Sequence, residues 1–79
     1  MSTYKTLDSS NIKAIDYDNI TDKLRIFFVS GYAYDFFGVK QNVVDALLKA
    51  PSAGTYFHKA IKDAYPYQRV RAKVPSSPT

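Results

Sequence analysis

The chain predicts an α+β domain: a three-stranded antiparallel β-meander followed by two helices packed on one sheet face. Three observations predict it. Between residues 11 and 37, β-branched and aromatic residues fall into short runs separated by turn chemistry. After Val39 the apolar spacing changes to that of a helix. Pro51 and Pro66 then close two helical stretches, because the residue before proline avoids the α conformation.

Each element has a local reason. Asn11 to Tyr17 (NIKAIDY) reads as the first strand, and its apolar Ile12 and Ile15 lie three apart, which calls for a bulge. DNITD (18–22) is a turn, since Asp and Asn bond their own backbone and tolerate left-handed angles. Lys23 to Ser30 (KLRIFFVS) is the clearest strand, with Leu24, Ile26 and Phe28 on one face. Ser30-Gly31 turns the chain into the third strand, Tyr32 to Phe37. There Tyr32, Tyr34 and Phe36 share one face, and Ala33, Asp35 and Phe37 the other. Gln41 to Ala50 carries Val43, Val44, Leu47 and Leu48 on one helical stripe. Ser52 is a good N-cap for a second helix whose apolar face holds Tyr56, Phe57, Ala60, Ile61, Ala64 and Tyr65. Residues 1–8 read as a frayed N-terminus, 9–70 as the domain, and 71–79 as a basic, then Pro/Ser-rich flexible tail. One sheet face lies under the helices; the other is expected to be at least partly open.

Composition narrows the function classes. A chain of 79 residues makes one small domain. With no cysteine and one histidine, His58, thiolate and histidine-rich metal sites are excluded, and no metal or cofactor is expected. Seven Tyr and five Phe must supply most of the large side chains. Met1 to Ser10 lacks an apolar signal core, and no apolar run approaches the roughly 20 residues of a membrane span. A cytoplasmic protein without membrane partners is therefore expected. Charge is uneven. Residues 1–55 balance, whereas residues 56–79 carry Lys59, Lys62, Arg69, Arg71 and Lys73 against Asp63 alone. Such a patch suits a polyanion, or it merely solubilises a tail.

Three stretches together resemble the KTSC domain family. They are SSNIKAIDYD (9–18), Tyr32-Ala33-Tyr34, and APSAGTYFHKAIKDAYPYQRV (50–70). In the last, the family's A-x-S-x-G-x-Y/F-F pattern stands as Ala50, Ser52, Gly54, Tyr56 and Phe57. The sequence departs from the family at Asp16, where Gly is usual, at Val39-Lys40, where Val-Pro is usual, and at His58, where Asn is usual. Lys40 should loosen the start of the first helix. The family takes its name from the C-terminus of some lysyl-tRNA synthetases and also occurs alone in bacterial and phage proteins. The resemblance implies no activity; it makes RNA a reasonable partner, although such association is not mechanism.

Candidate sites follow from the residues. Lys59 and Lys62 are three apart on one helix, and Arg69 and Arg71 alternate beyond Pro66, with Tyr65 and Tyr67 interleaved. This pattern suits phosphate contact plus stacking. Tyr32 and Tyr34 are candidate stacking rings, or margin residues of the core. Ser52 and Gly54 form a candidate anion site at a helix start, or simply a cap and a close approach. Asp16, Asp18 and Asp22 match no calcium loop and read as solvated turn residues. His58 reads as a surface residue, and nothing in the spacing joins it to Asp8, Ser9 or Ser10 as a catalytic set. No catalytic residues are assigned. The sequence therefore points to a small non-enzymatic nucleic-acid-binding module, RNA favoured. The alternative is a protein-interaction module that docks on or inhibits a larger host or viral enzyme. A monomer or a homodimer through a sheet edge fits either.

Overall fold

The computed structural model describes residues 2–7 and 10–70. Five antiparallel strands form one sheet in chain order: β1 (Ser2–Thr6), β2 (Ile12–Asp18), β3 (Lys23–Phe28), β4 (Ala33–Phe37) and β5 (Tyr67–Val70). Between β4 and β5 come α1 (Gln41–Lys49) and α2 (Ala53–Tyr56). α2 runs directly into a π-helical turn, Phe57–Ile61. The α+β architecture with two helices is as expected. The three-stranded meander is corrected to a five-stranded sheet. Residues 2–6, expected to fray, form β1, and residues 67–70 form β5. Both additions are edge strands, where polar side chains are tolerated and the apolar alternation that marks inner strands is absent. The expected tail, 71–79, lies outside the described residues.

The expected bulge is present between Ile12 and Ala14, with Ile12 opposite Phe28 and Ala14 opposite Phe27. It places Ile12, Ile15 and Tyr17 all on the helix side, in one core with Leu24, Ile26, Phe36, Val39, Val44, Leu47, Phe57 and Ile61. Without the extra residue, Ile12 would face away from the core that Ile15 joins. The turns use left-handed backbone where anticipated: Asp22 at φ 58° and Gly31 at φ 101°. Asp18 Oδ1 accepts the Ile20 N–H at 2.9 Å, an Asx turn.

Tyr17 ties the sheet to α1. Its hydroxyl donates to the Val39 carbonyl at 2.7 Å and lies 3.4 Å from Asp22 Oδ1. α1 begins at Lys40 without a side-chain cap. The Lys40 ammonium instead reaches Asp22 Oδ2 at 2.8 Å and holds the helix start against the β2–β3 turn.

The face away from the helices is more closed than expected. Phe27 is buried there with Ala14 and Ala33, beneath Tyr4 and Val70. Beside this apolar row, Asp16, Arg25 and Asp35 stand directly opposite one another across β2, β3 and β4. Arg25 donates to both Asp35 oxygens, at 2.6 and 3.0 Å, and Asp35 is buried. Among the described residues no helix is long and apolar enough to cross a membrane.

Two predictions test this frame. Burial, and then the Asp22 carboxylate, push the Tyr17 hydroxyl above its ordinary value. The raised value favours the neutral phenol in the folded state. Its contribution is complete below the unfolded tyrosine value of about 10 and is lost as pH rises through the folded value. Tyr17→Phe should cost about 1 to 2 kcal/mol at neutral pH by freeing the Val39 carbonyl. It should also flatten the stability loss above about pH 10; urea unfolding across pH measures both. Arg25→Met should destabilise by about 2 kcal/mol, because it strands the Asp35 charge. The double variant Arg25→Met/Asp35→Leu should recover most of that loss, as read by the urea midpoint.

Candidate functional site

Sheet register assembles a ring-lined cleft at the β5 side of the helix face. β4 directs Tyr34 and Phe36 toward the helices. β5 pairs beside it with Arg69 opposite Tyr34 and Tyr67 opposite Phe36. Tyr67 lies 5.5 Å from both Tyr34 and Phe36, centroid to centroid. On the inner side Phe57 meets Phe28 at 5.5 Å and Phe36 at 5.4 Å, both edge-on. The helical layer stops short of β5, so the outer rings stay accessible: Tyr32 is 51% and Tyr67 56% exposed. The resulting cleft of about 290 Å³ is floored by rings and walled by His58, Lys62 and Asp63.

The wall comes from the π-helical turn and the residues just after it. The Lys62 N–H bonds back five residues to the Phe57 carbonyl at 2.9 Å. Widened turns of this kind recur at functional sites. Here the turn buries Phe57 and Ile61 while leaving His58 and Lys62 exposed on the cleft side. At the mouth, the Arg69 guanidinium sits 5.1 Å over the Tyr32 ring. That contact holds a cation in place beside the rings.

The structure gathers four of the residues singled out from sequence. Tyr32, Tyr34 and Lys62 line the cleft, and Arg69 joins it through Tyr32. Tyr34 is half-buried and belongs partly to the core, whereas Tyr32 is a surface ring. Lys59 is exposed but does not line the cleft. Ser52 accepts the Thr55 N–H at 3.3 Å as a cap, Gly54 is buried in packing, and neither lines the cleft. Arg71 lies outside the described residues. His58 and Asp63 were not assigned from sequence, and Tyr67, singled out only as a ring interleaved with the cations, also lines the cleft. The alternation of Tyr67 and Arg69 against Gln68 and Val70 was the available signal for β5, and the partnership with β4 was not.

The acidic trio does not converge. Asp22 serves Tyr17 and Lys40, while Asp16 and Asp18 share a small far-side hollow with Lys23 and Arg25. Among the described residues no cluster of three or more His, Cys, Asp or Glu is placed to hold a metal. Asp8 and Ser9 lie outside the described residues.

The family model described as KTSC domain matches residues 8–65. The chain belongs to the KTSC domain family. A lysine–tRNA ligase of Nostoc sp. (strain PCC 7120 / SAG 25.82 / UTEX 2576) is 41% identical over 63 residues, 80% of this KTSC chain but only 11% of the ligase. An uncharacterized protein of Stutzerimonas stutzeri (strain A1501) is 37% identical over 65 residues, 81% of this chain and 92% of its own length. The crystal structure of a KTSC domain protein from Yersinia pestis superposes with a TM-score of 0.84 at 26% identity, covering 89% of this chain and 99% of that one. The KTSC chain thus spans about a tenth of the ligase it matches and nearly all of the small relatives.

The cleft's inner and outer rings should differ in what they stabilise. Phe57→Ala should cost about 3 to 5 kcal/mol, a large fraction of the stability of a domain this small. Tyr67→Ala, at a half-exposed edge position, should cost only about 1 kcal/mol. Urea unfolding monitored by circular dichroism reads both.

Proposed function

We propose that this KTSC domain is a non-enzymatic module that binds single-stranded RNA through the ring-lined cleft. One observation carries the reading: accessible tyrosines and two cations, Lys62 and Arg69, meet at a single concave site. An aromatic platform beside cations is the chemistry that holds unstacked bases, with stacking contributing about 1 to 3 kcal/mol per base. The similarity to the C-terminal part of lysine–tRNA ligases is consistent with an RNA context. A cytoplasmic location accords with that context.

A protein partner is the second reading. Tyr32 and Tyr67 are more than half exposed along the cleft, Val29 is exposed just beyond β3, and rings with arginine are typical interface anchors. β5 also leaves a sheet edge where a partner strand, or a second copy, would add.

Salt separates the two. Fluorescence anisotropy of labelled single-stranded RNA, duplex RNA and DNA should show single-stranded RNA bound best. Affinity should fall as salt rises, through counterion release. Lys62→Ala/Arg69→Ala should weaken binding by at least tenfold. It should also flatten the log–log salt slope by about 0.7 per cation removed. Absence of binding at low salt overturns the RNA reading in favour of a protein partner.

A further inference from the structure

The cleft wall contains a charge that phosphate binding does not explain. Asp63 is the single acidic residue of segment 56–79, which otherwise carries five cations. It is exposed and lines the cleft beside Lys62. Among the described residues its carboxylate makes no ion pair. A site built only to attract phosphate would exclude an anion.

Magnitudes point the same way. Proteins that hold nucleic acid by charge neutralise on the order of 6 to 10 phosphates. Among the described residues two cations frame this cleft, and Asp63 offsets one of them. Charge alone therefore gives weak attraction, and contacts to a base must supply the rest. The cleft's size limits how many bases. About 290 Å³ is at the bottom of the range for small-molecule sites, roughly 300 to 1,000 Å³. It accommodates one nucleotide rather than a stacked run.

Resting on the RNA reading above, we infer that the cleft takes one unstacked guanine nucleotide, with Asp63 accepting hydrogen bonds from the guanine base. A carboxylate is acceptor-only and prefers two parallel donors. Guanine presents N1–H and the N2 amino group side by side on its Watson–Crick edge. Adenine and cytosine place an acceptor nitrogen beside their amino group, and uracil flanks one N–H with two carbonyls. Each of these would aim a lone pair at the carboxylate. Tyr34 and Tyr67 offer the base a ring surface, and Lys62 and Arg69 stand at the mouth for its phosphate. Asp63 is thus a specificity residue, and the cations and rings set affinity.

The test uses the full chain and four labelled uridine heptamers, each with guanine, hypoxanthine, adenine or cytosine at the centre, alongside all-uridine. Guanine should bind roughly tenfold tighter than adenine, cytosine or uracil, the scale of one good bidentate pair. Hypoxanthine, which keeps N1–H and lacks the amino group, should fall between. Asp63→Asn should bring all strands within about twofold while binding the all-uridine strand as well as wild type or better. Equal binding of every strand by wild type overturns the inference and leaves RNA binding standing. A guanine preference that survives Asp63→Asn overturns the role of Asp63. No binding to any strand overturns the RNA reading, and no binding to either free nucleotide as well overturns both. Free guanosine and adenosine monophosphates form a second arm. A guanosine preference there, matched by no strand binding, keeps the base assignment and replaces RNA with a free nucleotide as ligand.

Discussion

Phe57 joins the two layers of this domain, and the rest of the structure hangs on how that one ring is held. It is almost fully buried, with its edges and face against Phe28 of β3 and Phe36 of β4. Edge-to-face pairs add to the burial itself, so the ring prefers one orientation over the many that a greasy contact would allow. That orientation positions the backbone around it. The π-helical turn starts at Phe57 and sends His58 and Lys62 out over the sheet. The ring's outer side is also the inner wall of the cleft. Core and candidate site therefore share an atom set, and the site inherits the rigidity of the core.

The rows of side chains across the sheet explain why the cleft is amphipathic. On the helix face one row reads Ile15, Ile26, Tyr34, Arg69, and the next reads Tyr17, Leu24, Phe36, Tyr67. The first row passes from aliphatic to aromatic to a charged tip at β5; the second runs from the buried Tyr17 ring through Leu24 and Phe36 to the half-exposed Tyr67. The helices are too short to cover the whole sheet, and a fully apolar row would leave a sticky margin. Tyrosine and arginine resolve this because each has an apolar body and a polar end. The same compromise yields a surface suited to a flat, partly polar ligand.

Much of this fold could be read from the chain, and what could not has a physical reason. The inner strands β2, β3 and β4 announce themselves because both neighbours and one helix layer demand apolar alternation. The bulge was legible because Ile12 and Ile15 cannot otherwise share a face. Pro51 marked the end of α1 and Ser52 the cap of α2, whereas the second helical stretch ends at Ile61, short of the expected stop at Pro66, and Ala64 is exposed. The edge strands were not legible, since STYKT and YQRV pair along one side only and carry few buried side chains. The π-helical turn has no pattern distinct from an α-helix over five residues. Missing β5 meant missing the register that seats Tyr67 beside Phe36, and with it the cleft. Tyr32, Tyr34, Lys62 and Arg69 were found as separate residue types; their convergence is a property of strand pairing. His58 and Asp63 gave no local signal, because a solvated helix face also carries such residues.

The far side of the sheet differs electrostatically from the helix side. Its charged row sets Arg25 between Asp16 and Asp35, so one cation serves two carboxylates. The bidentate bond to Asp35 holds the guanidinium above its ordinary value and commits its Nε and Nη2 edge to that carboxylate. Asp16 Oδ1 is buried without a hydrogen-bond partner among the described residues, beside that same guanidinium. The arrangement is net negative, and the neighbouring row is closed over Phe27 by Tyr4 and Val70. A polyanion meets net negative charge there, although the Phe37 ring is exposed on that face. Around the cleft the balance reverses: Lys62 and Arg69 are exposed, and Tyr32 and Tyr67 present open ring surface. The two faces of one thin sheet thus carry different charge: Asp16, Arg25 and Asp35 alternate to the far side of β2, β3 and β4, while Arg69 of β5 and Lys62 after the π-helical turn flank the cleft.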